Sequence, residues 1–194
     1  MLIRRTTQVL LAALLLSNAG SAGAENTLGA SVVLPLSGVA IYQQAEGPLT
    51  PLGGGTLGLI LQDWALAELG VSYLTSPVPE AVELRLNVGV APMIWDGRSD
   101  DRGWTLRIPV TLGWSGTLLS YDDDGHEMKG AWHALVLESG ARLTYWFSRL
   151  GLDLRAQIRG GYSVGSLGQE GGSRSEGRGG VFFAGLTVGL TYRL

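Results

Sequence analysis

Phe182–Leu194 reads FFAGLTVGLTYRL. Phe182, Ala184, Leu186, Val188, Leu190, Tyr192 and Leu194 fall on one side of an extended chain, with Gly185, Thr187, Gly189, Thr191 and Arg193 on the other. Side chains of a β-strand point alternately to opposite faces, so this period of two predicts a strand with one apolar and one small or polar face.

The same pattern recurs upstream. Leu150, Leu152, Leu154, Ala156, Ile158, Tyr162 and Val164 alternate with Asp153, Arg155, Gln157, Arg159 and Gly161. Trp104, Leu106, Ile108, Val110, Leu112, Trp114 and Leu118 alternate with Thr105, Arg107, Thr111, Gly113 and Ser115. Val82, Leu84, Leu86, Val88, Val90 and Ile94 alternate with Glu83, Arg85, Asn87 and Gly89. A fifth run, 131–147, sets Leu135, Leu137, Ala141, Leu143, Tyr145 and Phe147 against Glu138, Arg142 and Thr144. In the first third, 28–36, 56–64 and 69–75 read as strands, with a turn at 65–68; the segment 61–69 also fits one or two turns of helix.

Eight strands result, with a tight turn at Ser148–Arg149, a modest connection at 96–102, and long polar or Gly-rich connections at 37–55, 120–130 and 165–180. Long loops at one rim and short turns at the other fit an eight-stranded, antiparallel, up-and-down transmembrane β-barrel. The connection at 76–81 is the misfit, being short where a long loop is expected.

The N-terminus sets the compartment. Arg4 and Arg5 precede an unbroken apolar run, Val9–Leu16, and Ser17–Ala24 is small and weakly polar, ending Ala22-Gly23-Ala24. That is the pattern of a cleavable export signal, 1–24, cut before Glu25. The apolar run is far shorter than the roughly 18–20 residues of a spanning helix. Removing it leaves 170 of 194 residues, one domain (25–194), with 14 − 2 = 12 basic against 17 acidic residues. This mildly acidic balance gives no reason to expect a nucleic-acid partner. The absence of cysteine excludes disulfides, thiolate metal sites and an acylated lipoprotein cysteine.

Alternation alone leaves open which face turns inward, since a soluble eight-stranded barrel has the same period with its apolar face inside. Here the polar face mixes small residues with charges of both signs, as a narrow interior filled by side chains requires. Glu83, Glu138 and Asp153 can pair there with Arg85, Arg107, Arg142, Arg155 and Arg159, and the single lysine is Lys129, in a connection. Aromatics near strand ends (Trp104, Tyr145, Phe147, Tyr162, Phe182, Tyr192) suit interfacial girdles. The expectation is an inverted barrel with a polar, plugged interior.

The last eight residues, Thr187–Leu194, resemble the C-terminal assembly signal of outer-membrane barrels, with Thr187, Gly189, Tyr192 and Leu194 at its defined places. A terminal Phe is commoner in that family, so Leu194 is a departure. Across its strands the chain resembles the small eight-stranded outer-membrane barrels of Gram-negative bacteria. The resemblance implies an outer-membrane location, contact with membrane lipid and lipopolysaccharide, and engagement of the barrel-assembly machinery through the last strand. It also implies a non-enzymatic role in envelope structure or in interactions of the external loops, with no cofactor; a narrow pore and a lipid A-modifying hydrolase are the alternatives.

Candidate chemistry is sparse. Lipid A deacylases of this class carry a His-x-Ser pair, but His133 is followed by Ala134 and Leu135, and Ser139 is six residues on, about 20 Å along a strand. Asp122, Asp123, Asp124 and Glu127 offer hard oxygen ligands without EF-hand spacing, which reads as a solvated turn. Gly168–Gly180 lacks the Gly-Lys-Ser/Thr of a phosphate loop.

Overall fold

The computed structural model describes residues 25–33, 38–42, 50–74, 80–123, 126–169 and 174–194; the expected leader, 1–24, lies outside them. The described residues form β1 (Thr27–Val33), β2 (Gly38–Tyr42), β3 (Thr50–Leu61), β4 (Ala65–Leu74), β5 (Glu80–Val90), β6 (Met93–Ser99), β7 (Arg102–Arg107), β8 (Val110–Asp123), β9 (His126–Phe147), β10 (Leu150–Gln169) and β11 (Arg174–Arg193).

All pairings are antiparallel, and they run round a ring of eight: β1, β3, β4, β5, β8, β9, β10, β11 and back to β1. The ring returns to its start because β1 pairs β3 on one edge and β11 on the other, Thr27 facing both Ile60 and Arg193. β2 continues β1 along β11. β6 and β7 continue β5 and β8 past Ala91-Pro92 and Ile108-Pro109, and β9 is long enough to carry β8 on its first part and β7 on its last. Proline has no N–H to give a ladder. Pro92 and Pro109 instead accept through their carbonyls, from Ile108 and Gly140 at 3.1 and 3.2 Å.

The turns Gln62–Trp64, Asp100–Asp101 and Ser148–Arg149 interrupt the strands without lengthening them. Gln62, Asp63, Asp100, Asp101 and Ser148 take positive φ, between 50 and 80°. Two successive left-handed residues match the right-handed twist of a hairpin.

This geometry corrects several sequence expectations. Residues 65–68 are strand, paired to both β3 and β5, and the 61–69 segment has no helix; the turn sits three residues earlier, at Gln62–Trp64. The long connections at 37–55, 120–130 and 165–180 are largely strand: β2 and β3 enter the first, β8 and β9 run to Asp123 and from His126, and β10 and β11 run to Gln169 and from Arg174. Ladder bonds are made by backbone alone, so polar, Gly-rich hairpins extend the ring without showing apolar alternation. The 76–81 misfit falls largely outside the described residues, β5 beginning at Glu80.

The faces are inverted relative to a water-soluble protein. Along β9, Leu135 and Leu137 are 62 and 57% exposed, while Val136 and Glu138 between and beside them are 1 and 2% exposed. On β11, Phe182, Leu186, Leu190 and Tyr192 face out, and Phe183, Thr187 and Thr191 face in. Outside, Trp104, Tyr145 and Phe147 stack edge to face with centroids 4.9 and 4.7 Å apart, next to the short-turn rim. Inside, two small apolar clusters interrupt a polar filling: Ala81, Ala134, Val136, Val181 and Phe183 in one, Ile60, Leu66 and Ala91 in the other.

Candidate functional site

The interior is the candidate site, because its side chains cannot be explained by a water-facing surface or an apolar core. Its charges come from four strands and form one connected chain. Arg155 on β10 sends one guanidinium nitrogen to Glu68 on β4 and the other, at 2.6 Å, to Glu138 on β9. The second oxygen of Glu138 lies 3.5 Å from Arg85 on β5, whose Nε is 3.6 Å from Glu83. Glu83 in turn holds Arg159 of β10 at 3.1 Å. Arg142 and Asp153 form a pair beside this chain, with Thr144 donating to the second oxygen of Asp153 and Arg142 also donating to Thr191.

Four carboxylates (Glu68, Glu83, Glu138, Asp153) thus face four guanidiniums (Arg85, Arg142, Arg155, Arg159), and all eight are buried. A buried charge is tolerated only when paired and hydrogen-bonded, and this set leaves no net charge inside. Neutral groups add to it: Arg85 donates to Ser72 at 3.3 Å and Asn87 to Glu138 at 3.5 Å. Small residues make the room. A Cβ at Gly70 would meet the Arg85 guanidinium, and one at Gly113 would meet Asn87 and the Leu86 carbonyl.

The column is bounded at both ends. Toward the β8–β9 and β10–β11 hairpins, the Arg159 guanidinium lies 5.1 Å from the centroid of Phe183, a fully buried ring. At the opposite end, Trp146 donates its indole N–H to Thr105 at 2.9 Å and carries the Arg193 guanidinium 4.0 Å above its ring. Arg107 stands apart from the other interior arginines. It belongs to this rim, pairing with Asp63 at 3.1 Å and donating to the Ala91 carbonyl at 3.0 Å.

The rim beyond is ionic. Arg98 on β6 binds Asp96 at 2.6 Å and Glu25 at 3.1 Å. Arg193 reaches Glu25 at 3.3 Å and Asp101 at 3.0 Å. The hydrogen bond from Arg98 holds the Asp96 carboxyl below its ordinary value, and that contact holds the Arg98 guanidinium above its own.

Sequence reasoning missed Glu68, Asp63, Phe183 and Trp146. Glu68 fell in the expected turn at 65–68, which removed it from the face that Glu83 and Arg85 share. Phe183 follows another phenylalanine, and alternation sends one ring out and the other in.

The other candidates do not assemble into a site. His133 is exposed and stacks on Trp114 with centroids 5.6 Å apart; Ser139 pairs with Val110 and Ile158, away from it. Glu127 pairs with Lys129 at 3.3 Å; Asp124 and Gly125 lie outside the described residues. No group of carboxylates and histidines suited to a metal occurs among the described residues. Of the C-terminal motif, Thr187 is buried within the ring while Tyr192 and Leu194 are exposed.

An antiparallel ring of strands is the fold of the small outer-membrane β-barrels. Two solved structures share it. The N-terminal β-barrel domain of Pseudomonas aeruginosa OprF superposes with a TM-score of 0.53 at 17% identity, over 87% of this chain and 99% of that one. A major outer membrane protein from Thermus thermophilus gives 0.54 at 13% identity, over 89% of this chain and 100% of that one. No protein-family model matches the chain, and no curated protein does.

Proposed function

We propose that the chain is exported by a cleaved leader, residues 1–24, and works as a closed transmembrane β-barrel of the outer membrane, non-enzymatic, with its interior plugged by ion pairs. The observation that carries this reading is the neutral chain Glu68–Arg155–Glu138–Arg85–Glu83–Arg159, which crosses the ring from β4 to β10. Glu68, Glu83, Arg85, Glu138, Arg142, Asp153, Arg155 and Arg159 are the working residues of the plug, with Arg107 closing the rim below. A space of about 20 Å³ beside Gly29, Ser31, Gly58 and Arg142 has room for little more than one water.

The exterior supports the membrane location. Leu137, Leu152, Leu154 and Ile158 would each be unfavourable in water at their observed exposures and are at home against acyl chains. In this orientation the three short turns lie at the periplasmic rim, and the extended β8–β9 and β10–β11 hairpins stand outside. There they meet lipopolysaccharide and make the contacts through which the protein acts in envelope structure or interaction. The last strand, with Thr187, Gly189, Tyr192 and Leu194, is the segment the assembly machinery reads.

Conductance across planar bilayers tests the plug: the reading expects no current above a protein-free control, and a steady ohmic current refutes it. Fractionation with gel mobility before and after boiling tests the barrel, which should migrate faster unheated and remain with the outer membrane.

A further inference from the structure

Residue 25 is held in a site built for it. Its backbone N–H donates to Asp63 Oδ2 at 3.2 Å, and its carbonyl accepts from the Asp63 N–H at 3.1 Å. Its carboxylate is shared by Arg98 at 3.1 Å and Arg193 at 3.3 Å. Asn26 is fixed likewise, its side chain accepting from Gln62 N–H at 2.9 Å and its carbonyl from Leu194 N–H at 2.9 Å.

The ion pairs around this residue involve unequal numbers of acids and bases. Four carboxylates (Glu25, Asp63 from the β3–β4 turn, Asp96 from β6 and Asp101 from the β6–β7 turn) interlock with three guanidiniums, Arg98 of β6, Arg107 of β7 and Arg193 of β11. Within this ion-paired set one carboxylate lacks a guanidinium of its own. Asp63 turns one oxygen to Arg107 and the other to the Glu25 nitrogen.

We propose that hydrolysis of the Ala24–Glu25 peptide bond supplies a fourth positive charge to this set, turning the Glu25 nitrogen into an ammonium seated on the Asp63 carboxylate. The inference rests on the cleaved leader proposed above. A leader peptidase of the export route adds water across the bond; Ala24 departs with the leader as a carboxylate, and the Glu25 nitrogen takes up protons as the new α-ammonium. A backbone amide at this place donates one neutral hydrogen bond, whereas the ammonium makes a charge-assisted one and brings the ion-paired set to four charges of each sign. Maturation therefore sets the periplasmic rim, tying the start of β1 to the β3–β4 turn and, through the Glu25 carboxylate, to β6 and β11.

The chain offers a clean test, because Lys129 is its single lysine and a mature molecule has only one other amine. The full chain is expressed in a Gram-negative host and purified from the outer membrane in detergent. Intact mass and N-terminal sequencing identify the first residue. Competitive acetylation with acetic anhydride across the titration range then compares the α-amine with Lys129 in the same molecule, folded and in urea.

The expected result is a chain beginning at Glu25 whose folded α-amine titrates about one unit above the usual range of about 7.7–8.0. In urea that elevation should vanish, and Asp63→Asn should abolish it in the folded protein while leaving Lys129 unchanged. A retained leader or a different first residue overturns both the inference and the leader reading. A first residue Glu25 whose α-amine titrates alike folded and unfolded overturns the ammonium pairing alone. Should Asp63→Asn fail to fold, the folded-against-urea comparison on the natural chain decides the matter.

Discussion

Arg155 and Glu68 are bonded across the full width of the ring. Their strands, β10 and β4, stand four places apart in a circle of eight, and the residues are 87 positions apart in the chain. Removing Glu68 leaves Arg155 sharing Glu138 with Arg85 and the interior one charge positive, so Glu68→Ala is expected to destabilise by up to about 3–5 kcal/mol. Glu68→Leu combined with Arg155→Met should cost less than the sum of the single changes. Urea unfolding of protein folded into lipid vesicles, followed by tryptophan fluorescence, measures both.

Glu138 serves two arginines, Arg155 at 2.6 Å and Arg85 at 3.5 Å. Glu138→Ala leaves both underpaired and turns a neutral interior positive. A bilayer recording of this variant should show an anion-favouring leak absent from the natural protein. An unchanged silent trace would mean that the plug does not depend on this carboxylate.

The outer face should reject charge by depth. Leu137→Arg places a guanidinium at mid-strand on that face, which costs about 2–4 kcal/mol at a bilayer midplane. Phe147→Arg, next to the Ser148–Arg149 turn, should cost about 0–1 kcal/mol. The same vesicle unfolding assay separates them, and equal costs would contradict the membrane orientation.

Two glycines predict opposite outcomes. A Cβ at Gly113 would stand 2.5 Å from the Leu86 carbonyl oxygen and closer still to the Asn87 side chain, whereas one at Gly160 meets nothing within 4 Å. Gly113→Val should abolish the heat-modifiable band, because the β5–β8 ladder has to part to admit it. Gly160→Ala should fold as the natural chain does, with an unchanged urea midpoint.

Acid should loosen the β6–β7 hairpin first. Asp96 is held below its ordinary carboxylate range chiefly by the Arg98 side-chain hydrogen bond. A depressed folded pKa means that the stabilisation is present above the unfolded value, about 3.9, and is lost as pH falls through the folded one. The contribution is small because the Asp96 side chain is 41% exposed. Hydrogen exchange at the Arg98 amide, which donates to Asp96 at 3.1 Å, should lose protection in that window, and Asp96→Asn should remove the dependence.

The strands whose two faces differ in chemistry were legible from sequence. Leu152, Leu154 and Ile158 against Asp153, Arg155 and Gln157 leave one solution, since a shift of one residue would exchange the faces. The first third was harder because Gly53, Gly54 and Gly55 present no face, and Leu61–Leu69 carries leucines at both periods. Placing the turn three residues late there hid Glu68, and with it the acid that completes the charge chain. Which carboxylate meets which guanidinium depends on the stagger of distant strands, and a pattern confined to single strands does not contain that information.

The transverse bonds also bear on the order of events during assembly. Glu68 precedes Arg155 by 87 residues and Arg85 also precedes Glu138, so a fragment ending at β5 holds Glu68 without its guanidinium and pairs Arg85 with Glu83 alone. Contacts this distant in sequence make for slow folding, and here they also make it all or none. Closing the β1–β11 seam and pairing the inward charges are coupled, because Glu68 meets Arg155 only when β4 and β10 face each other across the ring.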